Sequence, residues 1–207
     1  MRLLPLFSKV FYETMLDFSD DDLNMFKSVV NTYEIEKSGV KTDTSNISLS
    51  TKTKELFKNP AFTELVKEIN NEFTMFQNEY MKYTNNNFEI TTSWATITKP
   101  KQESNFHNHF NSMYSGIFYI NTPEKSGNIM FEDFRDKRYN LEPNEHNEYN
   151  SHAFVFEPKP GMLILFPSEI HHKILKNNSN EDRYSIAFNI IPKGDIGYAG
   201  SDSYFRD

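Results

Sequence analysis

From Phe88 to Ile191 the chain breaks into short apolar runs separated by Pro, Gly and Asn, and this punctuation limits what it can fold into. The runs are Glu89–Thr98, Ser115–Ile120, Asn128–Phe131, His152–Phe156, Met162–Phe166 and Tyr184–Ile191. Their length and their content of Thr, Ile, Phe and Tyr are those of β-strands. Met162-Leu163-Ile164-Leu165-Phe166 shows no alternation and suits a strand covered on both faces. The last run does alternate. Arg183, Ser185, Ala187 and Asn189 share one face, and Tyr184, Ile186, Phe188 and Ile190 the other. A face that opens with a guanidinium and a hydroxyl is buried only to bind something anionic.

The residues ahead of Phe88 read differently. Leu3–Tyr12 predicts a short strand. Ser19 with Asp22 has the form of a capping box, and Leu23, Phe26, Val29, Val30 and Tyr33 follow at helical spacing, so a helix is expected over 20–35. Lys37–Thr53, rich in Ser, Thr and Asn, reads as a loop. Asn59-Pro60 supplies an N-cap with proline at the first helical position, and the stripe Phe62, Leu65, Val66, Ile69, Phe73, Phe76, Tyr80 predicts a helix over 61–82. Helices first and many short strands after predict an α+β domain, a sandwich or barrel with its N-terminal helices packed on one sheet. One domain over 1–207 is expected: a helical part at 1–86, a barrel core at 87–192 and a tail at 193–207. The polar stretch 135–151 is expected to be a lid or substrate-facing loop.

Composition removes several function classes. The net charge of −7 and the scattered lysines exclude the basic stripe of a nucleic-acid-binding protein. No apolar run reaches membrane-spanning length, and Met1–Phe7 does not read as a signal peptide, so a soluble cytoplasmic protein without a membrane partner is expected. The absence of cysteine removes disulfides, thiolate metal sites and cysteine nucleophiles together. Any metal must then be held by His, Asp or Glu, which favours zinc or a first-row metal such as iron.

All six histidines fall between 107 and 172: His107, His109, His146, His152, His171 and His172. His107 and His109 stand two apart, just ahead of a predicted strand, so both rings can address one point. His171 and His172 stand at the mouth of the buried run 162–166, and Arg183-Tyr184-Ser185 opens the last strand. Singly each has an ordinary reading, a chance pair of histidines or an arginine facing a surface carboxylate. Their order fits one chemistry: three groups hold one side of a metal and leave positions open, while a deeper arginine binds the far carboxylate of a chelating keto-acid.

The run from Trp94 onward resembles the Fe(II)/2-oxoglutarate-dependent oxygenases, and within them a phage and bacterial branch related to prolyl hydroxylases. The resemblance rests on His107-Asn108-His109 with Ser115-Gly116-Ile117-Phe118-Tyr119-Ile120, on Gly161 to Ser168, on His172, and on Arg183 to Asn189. It implies a double-stranded β-helix (jelly-roll) core. It implies that His107 is the first iron ligand and His172 the distal one, with His171 a neighbour that could replace it. Arg183, helped by Ser185 and Tyr119, would hold the C5 carboxylate of 2-oxoglutarate. The implied activity is hydroxylation of a small-molecule or peptide substrate, prolyl or amino-acid-like, with Fe(II), 2-oxoglutarate and O2, release of succinate and CO2, and stimulation by ascorbate.

The family's usual opening is His-x-Asp, and here His109 stands in place of the aspartate. Either His109 is the third ligand, or a carboxylate such as Asp133, or a water, completes the set. A cupin-type metal enzyme would share the barrel and the His-x-His, but it needs a Glu where this chain has Ser112-Met113-Tyr114, and it has no use for Arg183. A non-catalytic jelly-roll binding or structural protein with a degenerate metal site is the third reading; the missing aspartate favours it and the presence of Arg183 and Ser185 opposes it. The sequence carries no signal for oligomeric state.

Overall fold

The computed structural model describes residues 8–38, 46–83, 87–133, 143–147 and 149–205. Two antiparallel sheets form a jelly roll, with helices covering the outer face of the larger one. The chain enters through β1 (Tyr12–Met15), α1 (Asp20–Val30), β2 (Ile35–Lys37), β3 (Leu49–Thr51) and α2 (Thr63–Met75). It then forms β4 (Asn87–Thr98), β5 (Tyr114–Asn121), β6 (Ile129–Glu132), β7 (Ala153–Phe156), β8 (Met162–Pro167), β9 (His171–Ile174) and β10 (Arg183–Lys193). The large sheet runs β1-β8-β5-β10-β4-β3-β2, and the small one β7-β6-β9.

The period-2 alternation of β10 sorts the core into two layers. Tyr184, Ile186, Phe188 and Ile190 join Phe118, Ile120, Leu163 and Leu165 beneath the helices, against Phe26 of α1 and Leu65, Ile69 and Phe73 of α2. Ala187 faces the other way. It packs with Ile117, Tyr119, Ile164 and Phe166 of the large sheet and Ile129, Phe131 and Phe156 of the small one. The unalternating run at 162–166 is thus explained: Leu163 and Leu165 meet the helices while Ile164 and Phe166 fill the space between the sheets.

The helices differ from expectation in length and in kind. Ser19 and Asp22 form the expected capping box on α1, with three aspartates in the first turn where the helix dipole favours them. The helix ends at Val30 rather than 35, and Ile35–Lys37, where the expected helix meets the expected loop, pairs with Leu49–Thr51 inside that loop. The expected helix over 61–82 is three pieces: a 3₁₀ turn at Pro60–Phe62 capped by Asn59, α2, and a π-helical turn at Phe76–Met81 that stops where Lys82 takes a left-handed conformation. The expected strand at 3–12 is displaced. Its first residues lie outside those described, and the strand observed is Tyr12–Met15, bound along β8. Among the described residues no helix is long and apolar enough to cross a membrane.

One close approach fixes the two central strands. Gly116 lies opposite Phe188, and a Cβ on it would come within 2.1 Å of the Phe188 ring. Phe188 is fully buried, so the ring has nowhere to retreat. Gly116→Ala should therefore destabilise the protein by about 1–3 kcal/mol, as an overpacked core does, measured as a lower midpoint in urea unfolding without a change in slope.

Candidate metal and anion site

At one end of the space between the sheets, an irregular segment from Asn105 to Met113 is laid against β9. His107 and His172 exchange two backbone hydrogen bonds, 3.1 Å and 2.8 Å long, and the amide of His109 donates to the carbonyl of Ser168 at 2.9 Å. This short antiparallel bridge sets the side chains of His107 and His172 next to each other. The ring centroids of His107 and His172 are 4.4 Å apart, those of His109 and His172 5.1 Å, and those of His107 and His109 5.4 Å. One nitrogen from each ring lies within 4.8 Å of the other two. Among the described residues no carboxylate joins this group, and Asp133 stands at the end of β6 with its amide bonded to the carbonyl of His152. His171 is on the other face of β9 from His172, while His146 and His152 are exposed.

The far nitrogens of the rings are all occupied by oxygen. His107 Nδ1 is 2.9 Å from the carbonyl of Asn105, and His172 Nδ1 is 3.0 Å from the carbonyl of Ile170. A carbonyl can only accept, so in both neutral rings Nδ1 carries the proton and Nε2 keeps its lone pair. His109 Nδ1 lies 2.6 Å from Asn189 Oδ1 and 2.8 Å from Ser115 Oγ. Burial, with the neighbouring histidines adding to it, holds His172 well below the usual histidine range, and burial lowers His107 as well. His109 is pushed down to about 4, first by burial, with Asn189 opposing and His107 reinforcing the shift. Three neutral imidazoles with inward lone pairs are what a divalent first-row ion requires, since ligands must be unprotonated.

Aromatic rings wall the cluster. Phe166 is 4.9 Å and Phe131 5.8 Å from the His172 ring, and Trp94 is 5.5 Å from that of His109.

Deeper along the same face of β10 lies Arg183, fully buried. Its guanidinium sits over the ring of Tyr119, 5.1 Å from the centroid. Nε and Nη1 of Arg183 and the hydroxyl of Tyr119 make no hydrogen bond, although the two side chains are close enough that each shifts the other's ionisation. Burial lowers the arginine's pKa, the nearby Tyr119 hydroxyl offsetting part of the shift, and burial raises that of the tyrosine. A buried cation with unpaired donors carries a desolvation cost that only an anion would offset. A carboxylate fits this place. Ser185 lies across from Tyr119 in the ladder. Thr122 was not legible as a site residue: its buried hydroxyl also lacks a partner, and continuing the register from the Tyr184–Asn121 pair sets it across from Arg183. Asn189 and Ser115, present in the motifs, reach His109 only through the pairing of the strands. The 135–151 segment expected to act as a lid lies largely outside the described residues.

The depressed histidines make a pH prediction. A histidine whose folded pKa is below its unfolded value near 6.5 binds its proton more readily in the unfolded chain, so stability is whole above pH 6.5 and falls as pH drops through the window from 6.5 to about 4. The metal-free protein should show a thermal midpoint that declines over this window, and His109→Asn should flatten the decline. An unchanged pH profile in the variant would remove His109 as a source.

The comparisons with known proteins bear on this geometry. Residues 92–189 match a family model described as "Putative 2OG-Fe(II) oxygenase". No curated protein matches the sequence. Among solved structures, an oxidoreductase of the 2OG-Fe(II) oxygenase family from Burkholderia pseudomallei superposes with a TM-score of 0.61 at 12% identity, over 88% of this chain and 84% of that one. A prolyl-4-hydroxylase from Pseudomonas putida superposes with a TM-score of 0.59 at 13% identity, over 95% and 92%. HygX from Streptomyces hygroscopicus, solved with nickel, 2-oxoglutarate and hygromycin B, superposes with a TM-score of 0.59 at 12% identity, over 87% and 82%.

Proposed function

We propose that the protein is a dioxygenase that hydroxylates a small-molecule or peptide substrate with Fe(II), 2-oxoglutarate and O2, a reading supported by the match of residues 92–189 to the 2OG-Fe(II) oxygenase model. Its products are the hydroxylated substrate, succinate and CO2. The observation that carries this reading is the pairing of two unmet demands in one interior. Three imidazoles converge with a nitrogen of each within 4.8 Å of the others, and a buried guanidinium keeps two nitrogens, Nε and Nη1, without a hydrogen-bond partner.

In this reading His107, His109 and His172 would hold the iron, each through one ring nitrogen. Bound iron and 2-oxoglutarate together supply the oxidising power. The chain's own part is placement. Arg183 fixes the C5 carboxylate of 2-oxoglutarate by charge, with Tyr119, Ser185 and Thr122 offering hydroxyl donors around it. Trp94, Phe131 and Phe166 keep water from the metal side of the cavity, which protects a reactive centre from side reactions. With histidine where the family has aspartate, the protein contributes no negative charge to the metal, so the dianionic cosubstrate carries more of the neutralisation. A prolyl or amino-acid-like substrate is the narrower reading, supported by the likeness to the Pseudomonas hydroxylase and by the apolar walls.

The test is anaerobic titration with Fe(II) and then 2-oxoglutarate, which should produce a weak visible charge-transfer band, followed by succinate formation under air. Neither band nor succinate would sink the assignment. Arg183→Met should weaken 2-oxoglutarate binding at least tenfold and leave Fe(II) binding unchanged; equal loss of both would contradict the role given to the arginine.

A further inference from the structure

His109 differs from its two companions in what holds it. The Nδ1 atoms of His107 and His172 face backbone carbonyls, which no substitution can remove, whereas Nδ1 of His109 faces only side chains. Which nitrogen of that ring carries the proton is therefore decided by Asn189 and Ser115. The Ser115 hydroxyl can donate or accept and so settles nothing alone. Asn189 Oδ1, at 2.6 Å, can only accept, and so requires the proton on Nδ1.

The surroundings hold both partners in that arrangement. Asn189 Nδ2 donates to Thr92 Oγ1 at 3.0 Å, which turns the amide oxygen toward the histidine. Ser112 Oγ donates to the carbonyl of Tyr114, Ser168 Oγ donates to Ser112 Oγ at 2.8 Å, and Ser168 is then free to accept from Ser115 at 2.8 Å. The Ser115 hydroxyl proton is drawn to Ser168 Oγ or to Asn189 Oδ1, 3.0 Å away, in either case away from His109, and its lone pair completes the reception of Nδ1–H. A bulge in the pairing of β10 with β4, between Asn189 and Ile190, falls where the amide is aimed, as bulges beside functional sites often do.

We propose that Asn189 is the positioning residue that selects the tautomer of His109 in which Nε2 presents its lone pair to the metal. The proposal rests on the metal-centre reading above. It assigns to a neutral amide the work that a carboxylate or backbone carbonyl behind a metal-bound histidine usually does, namely fixing the ring and its tautomer. The metal site is then neutral both in its ligands and in the groups directly behind them.

The experiment uses the full chain in metal-free form and two readouts: long-range 1H–15N spectra of the histidine rings, and calorimetric titration with Co(II). Wild type should show His109 protonated on Nδ1 and bind one Co(II). Asn189→Leu, which keeps the size and removes the acceptor, should shift His109 toward the Nε2-protonated form and weaken Co(II) binding 10–100-fold, a range typical of losing such a partner. Asn189→Asp should restore the Nδ1–H form and bind Co(II) at least as tightly as wild type. A leucine variant identical to wild type in both readouts would overturn the proposal, as would an aspartate variant that loses as much affinity as leucine. Should circular dichroism show Asn189→Leu unfolded, Thr92→Val takes its place. It frees the amide to rotate and should move both readouts the same way by a smaller amount; no movement in either overturns the proposal. Wild type that binds no Co(II) while its His109 tautomer still answers to Asn189 would retire the metal centre and leave the tautomer assignment standing.

Discussion

Everything functional in this molecule hangs on the register of β10. The strand lies between β4 and β5 at the middle of the large sheet, and its two faces do unrelated work. Tyr184, Ile186, Phe188 and Ile190 close the core under the helices, while Arg183, Ser185, Ala187 and Asn189 look into the space between the sheets. A slip of one residue would turn the arginine into the helical core and four apolar side chains into the cavity. The apolar set therefore enforces the polar one. Gly116, leaving room for Phe188, is the point at which the neighbouring strand locks that register.

Given this frame, the chemistry is assembled from groups that are costly to bury and that meet each other's needs only in part. Desolvation at the cluster, strongest at the buried His172, disfavours the charged form of the histidines, and their Nδ1 atoms are met by oxygen partners, which leaves Nε2 as the nitrogen open to an ion. Arg183 is settled only in part: it lies over the Tyr119 ring, but its Nε and Nη1 have no hydrogen-bond partner among the described residues. Its burial makes sense only if part of the time a negatively charged group lies against it.

Much of this was legible in the residues because two periods carried it. The alternation at 183–190 gave both faces of β10, and the helical spacing at 62–76 gave the covering layer. What escaped had no periodic signal. His171-His172-Lys173-Ile174 is too polar to read as a strand, yet it pairs with β6 along its length, with His172 opposite Phe131 and Ile174 opposite Ile129. β2 and β3 are three residues each, too short for alternation to register, and exist because β4 offers an edge to pair with. Thr122, Ser115 and Asn189 are single polar residues whose partners lie tens of positions away, so only the folded register joins them to Arg183 and His109.

The segment carrying His107 and His109 has a mechanical consequence. It belongs to neither sheet but touches both: His107 is bridged to β9 of the small sheet, while His109 is tied through Ser115 and Asn189 to β5 and β10 of the large one. An ion shared by these rings and His172 would act as a rivet between the two leaves of the roll. Loading the centre would then stiffen the mouth of the cavity as well as equip it, with the folded state gaining whatever free energy the ion contributes by binding.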